Sequence, residues 1–287
     1  IGQTLADAIK LLTKEDILPK SSDKFLMILA PFIIFSGAFL TFIGLPFAQN
    51  IVISDFNIGL FYIVAMSSVG VIGIILAGWS SNNKWSLYGA MRAAAQIISY
   101  EIPIGLSLLL VVIVSGSLHL GDIVQWQEAN RWFIFHSPFA FLAFFIYFIS
   151  TVAETNRTPF DIPEAESELV AGWMTEYSGF RWALFFLSEY ANMLIVCIVA
   201  SIVFLGGWLS PLHLINIFPE SWYILDGPAL GFFWVSLKAV ILIFVMMWFR
   251  WTFPRLRVDQ LMYVCWKVFI PFALANLFFV SLWELIF

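Results

Sequence analysis

The sequence predicts an all-α, polytopic transmembrane helical bundle, and three observations carry that expectation. Of 287 residues, 61% are hydrophobic and only 11% are Asp, Glu, Lys or Arg. A soluble domain carries about a quarter charged residues, and one this apolar would expose patches that water does not tolerate. The apolar residues come in runs of about 20, the length a bilayer core demands of a helix. No stretch alternates polar and apolar residues long enough for a membrane β-barrel.

Taken in chain order, residues 1–24 come first. Leu5, Ala8, Ile9 and Leu12 mark one helical face, and Asp7, Lys10 and Lys14 another, so the start is an amphipathic segment lying in the interface. Its apolar face either sits in lipid or lines an opening for a lipid-soluble ligand. Seven spans follow, at roughly 25–45, 57–79, 98–118, 134–153, 182–207, 230–249 and 268–286. The connections then alternate between two sides. One side holds Lys10, Lys14, Lys20, Lys24, Lys84, Arg92, Arg157, Arg181, Arg250, Arg255, Arg257 and Lys267, while the other holds Arg131, and Lys238 falls within a span. Basic loops stay on the cytoplasmic side, so the first residues are cytoplasmic and Phe287 is on the far face. The whole chain, 1–287, reads as a single membrane domain. The expected location is a bacterial inner membrane, with a mitochondrial inner or thylakoid membrane left open. The outer connections, including "PFAQNIVISDFN" and "LHLGDIVQWQEANRW", need do no more than turn the chain.

Several chemistries find no support. Cys197 and Cys265 match no metal spacing and no disulfide scaffold. His119, His136 and His213 fall at span ends, not at facing positions within helices where haem ligands belong. No phosphate loop or dinucleotide fingerprint is present, and no internal repeat suggests an inverted-repeat transporter.

Charges inside spans are expensive and usually functional. Glu101 precedes Pro103 in the third span, Glu189 lies in the fifth and Lys238 in the sixth; Glu284, near an outer end, can reach water. The first three either fix helix packing or relay protons, because a carboxylic acid in a partly dry cavity titrates nearer neutrality than in water. The segment "ETNRTPFDIPEAESELVAGWMTEY" concentrates Glu154, Asp161, Glu164, Glu166, Glu168 and Glu176 around one arginine, Arg157. Asp161 followed by Glu164 has the pattern of a capping box, which predicts a helix through "IPEAESELVAGWM". Glu164 and Glu168 would share a face, with Glu166 offset. That places either a wet exterior helix or an acidic funnel, continued into the membrane by Glu154 and Glu189. A second polar block, "FRWTFPRLRVDQLMYVCWK", brings Arg250, Arg255, Arg257, Asp259 and Lys267 to the same side. The small residues Gly89, Ala90 and Ala93 to Ala95 offer a surface for close packing.

Four blocks now stand together in order: "DAIKLLTKEDILP", "LYGAMRAAAQIISYEIP", "ETNRTPFDIPEAESELVAGWMTEYSG", and "FPRLRVDQLM" followed by "WK". Across nearly the whole chain they closely resemble subunit 1 of respiratory complex I, the bacterial H subunit. Members of that family usually have eight spans, so the resemblance implies one more upstream of Ile1.

The resemblance further implies a membrane-arm subunit of an NADH:quinone oxidoreductase, a proton-translocating enzyme, with no redox centre of its own. Quinone is then the substrate, while NADH, FMN and iron–sulfur clusters belong to partner subunits. Those partners would be peripheral-arm quinone-chamber subunits, one carrying the terminal iron–sulfur cluster, together with small membrane-arm subunits, antiporter-like pumping subunits and lipid. No nucleic acid is expected. Segment 1–24 would form one side of the quinone entrance, and the loop 154–181 part of the chamber. Proton coupling would fall to Glu101, Glu154, Asp161, Glu164, Glu166, Glu168, Glu176 and Glu189, with Arg157 and Arg257; Arg92 and Arg250 would serve the chamber or partner docking. The alternatives are a stand-alone ion-coupled transporter, or the homologous anchor of a ferredoxin-driven or hydrogenase-type complex.

Overall fold

The structure is a computed structural model that describes residues 2–49, 51–163, 171–211 and 228–286. All its regular elements are helical: α1 (Gln3–Thr13), α2 (Lys24–Thr41), α3 (Gly59–Ser80), α4 (Lys84–Ser115), α5 (Leu120–Ala129), α6 (Pro138–Glu154), α7 (Gly179–Phe204), α8 (Pro228–Thr252), α9 (Val258–Tyr263) and α10 (Ile270–Ile286). A π-helical turn, Val264–Phe269, joins α9 to α10 without a break. Among the described residues, six segments are long and apolar enough to cross a membrane: Lys24–Gly44, Gly59–Ser80, Lys84–Ser115, Gly179–Phe204, Leu230–Thr252 and Val258–Ile286. The fourth expected span corresponds to α6, a shorter apolar helix of 17 residues.

Local chemistry sets these ends. Asp23 accepts from the amides of Phe25 and Leu26 to start α2, and Ser137 accepts from Ala140 to start α6 with Pro138 in its first turn, the place where proline has no amide to lose. Gly116, at φ +72°, closes α4, a left-handed position that glycine takes without strain. α4 begins at Lys84, well before the expected start at 98. Asn83 accepts from the Trp85 amide, and the stretch with Arg92, first read as a connection, continues the helix. Its small residues let it pack closely: Gly89 lies so near Gly172 that an added Cβ would stand 2.7 Å from that backbone, and Ala90 meets the bare face of Gly78. Ala93 and Ala94 are buried, but Ala95 is exposed.

α4 is the axis of the bundle, packing on α3, α6 and α10, while α7 packs on α2, α6 and α8. Pro103 cannot donate within α4, which leaves the carbonyl four residues earlier without its helical partner. That residue is Ser99, and its carbonyl instead accepts from Cys265 Sγ at 3.0 Å, while Trp266 Nε1 reaches the Ser99 hydroxyl at 3.3 Å. The π turn is thereby locked onto the proline gap.

Lys238 resolves in favour of structure. Its Nζ donates to the carbonyls of Leu205, Gly207 and Leu209, each at 2.7 Å, and lies 4.3 Å from the centre of the Trp132 ring. These are the carbonyls at and just beyond the end of α7, where a cation complements the helix dipole. The turn that presents them uses Gly206 and Gly207, both at positive φ, and a Cβ on Gly206 would collide with Trp132.

Candidate functional site

Beneath the acidic segment lies a cavity of about 40 Å³. Glu154 and Asn156 come from the end of α6 and the turn after it, Ser188, Glu189 and Asn192 from α7, and Ser67 with Gly70 from α3. At about 10–15 Å³ per probe-sized site, it has room for a few waters among polar groups on several sides. Glu154 and Glu189 are half-buried. Glu101, on α4, lies close enough to Glu154 for the two charges to repel, and Ser68 of α3 faces its carboxyl. Glu101 Oε1 is buried with no hydrogen-bond partner among the described residues.

Two anchors hold the segment onto α4. Gln96 Nε2 donates to the carbonyls of Ala153 at 2.7 Å and Phe160 at 2.8 Å, which fixes the turn at Glu154. Further on, Ser86 Oγ donates to the Trp173 carbonyl, next to the Gly89–Gly172 approach. Glu176 accepts from Asn83 Nδ2 at 2.7 Å. The neighbouring Tyr177 hydroxyl meets Ser80 at 3.1 Å, and burial pushes its pKa above the ordinary phenol value. The helix expected through Met174 is absent at both described ends. Asp161 and Ile162 are not helical, and Gly172–Met174 is a single 3₁₀ turn entered at Gly172, φ +54°. Glu164, Glu166 and Glu168 lie outside the described residues.

The arginines occupy separate places. Arg157 lays its guanidinium over the Tyr190 ring at 4.5 Å, and its Nε and Nη2 are buried without hydrogen-bond partners among the described residues. The cation that pairs with Asp161 is Arg255, at 2.8 Å. Arg257 starts α9, its backbone amide donating to Gln260 Oε1 at 3.2 Å, and its side chain is exposed. Arg250 is exposed at the end of α8. Arg92 lines a second, open cavity of about 570 Å³, otherwise formed by Trp85, Tyr88, Met91, Gln96 and the apolar residues Ala95, Ile162, Val258, Leu261 and Met262. One cation and one amide in an apolar wall suit a ligand with a small polar head and a hydrocarbon body.

These elements now bear comparison with known proteins. The NADH dehydrogenase family matches residues 1–281. The chain is 53% identical over 285 residues to the NADH-quinone oxidoreductase H subunit of Chlorobaculum parvum, covering 98% of this chain and 79% of that protein. It is 51% identical over 280 residues to the same-named protein of Geobacillus sp., at 98% and 79% coverage. With its counterpart in Anaeromyxobacter dehalogenans it shares 45% over 294 residues, covering 99% and 71%. The chain belongs to the family of NADH-quinone oxidoreductase H subunits. As a member of that family it is a polytopic protein of the bacterial inner membrane.

What sequence reasoning missed in this family member lies on the opposite face. His119 Nε2 is 2.6 Å from Asp55 and Nδ1 is 2.9 Å from Asp122, whose other oxygen accepts from Ser117 at 2.8 Å. Burial alone would lower the His119 pKa, but the bonds to Asp55 and Asp122 outweigh it and hold the ring above its ordinary 6.5. The hydrogen bonds from Ser117 and His119 hold Asp122 below its ordinary value. His136 meets Glu284 at 2.7 Å. The signal available in the sequence was His119 three residues before Asp122; the partner of His136 is 148 positions away and left no local sign. His213 lies outside the described residues. Among the described residues no group of three or more His, Cys, Asp or Glu is placed to hold a metal ion.

Proposed function

We propose that this chain forms the membrane side of a quinone chamber and links quinone reduction to proton translocation through its buried carboxylates. The observation that carries the reading is the cavity in which Glu154 and Glu189 meet Ser67, Asn156, Ser188 and Asn192 directly below the acidic segment. Reducing a quinone to a quinol takes two electrons and two protons. The electrons come from partner subunits. The protons and the accompanying change of charge are what this chain's residues handle.

Arg92 and Gln96 address the polar head in the larger cavity, and Trp85, Tyr88 and Met262 hold its apolar part. Gln96 also grips the turn that carries Glu154, so a ligand pressing on Gln96 acts on the carboxylate cavity through one side chain. Glu154, Glu101 and Glu189 then exchange protons with one another and with water. In low dielectric their charges couple strongly over short distances, so they titrate as a group. Asp161, Glu176 and the residues Glu164, Glu166 and Glu168 feed this group from the cytoplasmic side, with Arg157 and Arg257 balancing charge. α6, about 25 Å long at 1.5 Å per residue, serves as a further span beside the six longer ones, fourth in chain order. α1 lies in the interface, with Leu5, Ile9 and Leu12 exposed for lipid or for the quinone entrance, held to the bundle by Asp16–Arg181 and by Ile17–Ser178. The partners are those of the family: peripheral-arm subunits above the chamber, and small and pumping membrane subunits beside it.

The test uses the assembled complex with Glu154→Gln, Glu189→Gln or both. Quinone-linked turnover and proton uptake should fall at least tenfold at unchanged subunit content. Wild-type turnover and pumping in the fully assembled double variant would overturn the reading.

A further inference from the structure

A third concavity has no part in that reading. α6 and α8 both pack on α7 and scarcely touch each other, leaving a groove of about 340 Å³ between them. Its walls are Phe144, Phe145, Phe148, Ile149 and Val152 of α6 and Leu242, Val245 and Phe249 of α8, and its cytoplasmic end is lined by Pro159, Phe160 and Phe253. Every lining residue is apolar. The floor is a run of touching rings: Phe144 stacks on Phe148 at 6.0 Å, Phe148 meets Phe249 edge-on at 5.9 Å, and Phe249 meets Phe253 at 5.4 Å.

Three features of the groove say what fills it. Its length, from Leu242 to Phe253 along a helix rising 1.5 Å per residue, is about 16 Å. That is roughly one leaflet of a hydrocarbon core about 30 Å thick. It runs from mid-membrane to the cytoplasmic end, as Lys/Arg sidedness orients the chain. Its mouth carries a net positive charge: Arg250 follows Phe249 and is exposed, while the half-exposed Arg255 is paired with Asp161, the residue after Phe160. The Leu256 amide donates to the Pro159 carbonyl at 3.1 Å, so the backbone at the mouth is already satisfied, and with Arg255 neutralised by Asp161 the exposed Arg250 is the charge that remains for an anion.

We infer that this groove is a fixed binding site for one acyl chain of an anionic phospholipid of the cytoplasmic leaflet. The chain lies along the phenylalanine floor, and the phosphate sits by Arg250. A cytoplasmic leaflet rich in anionic lipid favours basic side chains at that depth, and the ordered rings exclude competing water.

The probe is native mass spectrometry of the purified, assembled complex, delipidated and then given phosphatidylglycerol or phosphatidylcholine. The wild type should retain at least one phosphatidylglycerol per complex more than a groove-filling Val245→Phe variant. Phosphatidylcholine should not replace it, and Arg250→Gln should lower retention severalfold with the groove intact. Leu242→Phe, which fills the groove from a different turn, serves if Val245→Phe lowers subunit content. Equal retention in wild type and filled variants would overturn the assignment. So would indifference to headgroup charge, a retained quinone in place of phospholipid, or a partner helix found seated in the groove.

Discussion

Lys238 and the Glu154–Glu189 cavity make an instructive pair, because both put ionisable groups among apolar helices and end differently. Lys238 is 6% exposed, and its ammonium meets three carbonyls and an aromatic face. A point charge with three donors has three acceptors at ideal distance, so nothing is left over for a ligand or a mobile proton. The carboxylates instead face hydroxyls, amides and one another across a small void. A carboxylate next to a like charge does not reach a single satisfied state. The difference teaches that depth in the membrane does not mark a working charge; whether the group faces a cavity does.

The most damaging way to test this contrast is Lys238→Met. It orphans three buried carbonyls, each costing about 1–3 kcal/mol, so several kcal/mol of stability should be lost. Thermal melts of the assembled complex and its subunit content report this. A variant as stable as the wild type would mean those bonds are not structural.

Glu154→Gln should do the reverse, leaving the melting midpoint within a few degrees while quinone-linked turnover drops at least tenfold. Parallel losses of stability and turnover would erase the distinction between the two sites.

A smaller effect is expected at Tyr190→Leu, which removes the ring under Arg157 in the chamber-side half. A partly buried cation–π contact is worth about 1 kcal/mol, measurable as a lowered midpoint with the carboxylate cavity intact.

The smallest concerns the outer face. His119 has a folded pKa above 6.5, so its contribution is fully present below about 6.5 and fades as pH rises through the folded value. Asp122 has a folded pKa below 3.8, so its contribution holds above about 3.8 and fades as pH falls. The clamp is therefore firmest between those limits, and His119→Gln should flatten the pH profile of stability by well under 1 kcal/mol, as suits exposed partners.

The spans were readable because a bilayer demands long apolar runs, and charge bias in the loops ordered them. The early start of α4 was not, since Arg92 and the small residues around it resemble a polar connection. They form helix because Gly89 and Ala90 dock on Gly172 and Gly78, a fact of tertiary packing. Lys238 was legible as a costly charge, but its acceptors are main-chain atoms of a turn about thirty residues earlier, and main-chain atoms leave no signature in side-chain identity. Glu154 and Glu189 were both named from sequence. Their convergence on one void with Ser67 and Asn192 depends on how α3, α6 and α7 meet. Arg157 was assigned to the acidic segment by proximity in sequence, whereas the pair with Asp161 is made by Arg255, 94 positions away.

The length of α4 has one more consequence. Its 32 residues measure about 48 Å, against a hydrocarbon layer of about 30 Å. With its outer end near that layer's boundary, Arg92 rides at headgroup height or above. A molecule arriving there has already withdrawn part of itself from oil, at about 0.8 kcal/mol for every methylene bared to water. Trp85, Tyr88, Met91 and Met262 offset that expense by standing in for the lipid tails left behind, so the overhanging helix works as a dry landing above the waterline.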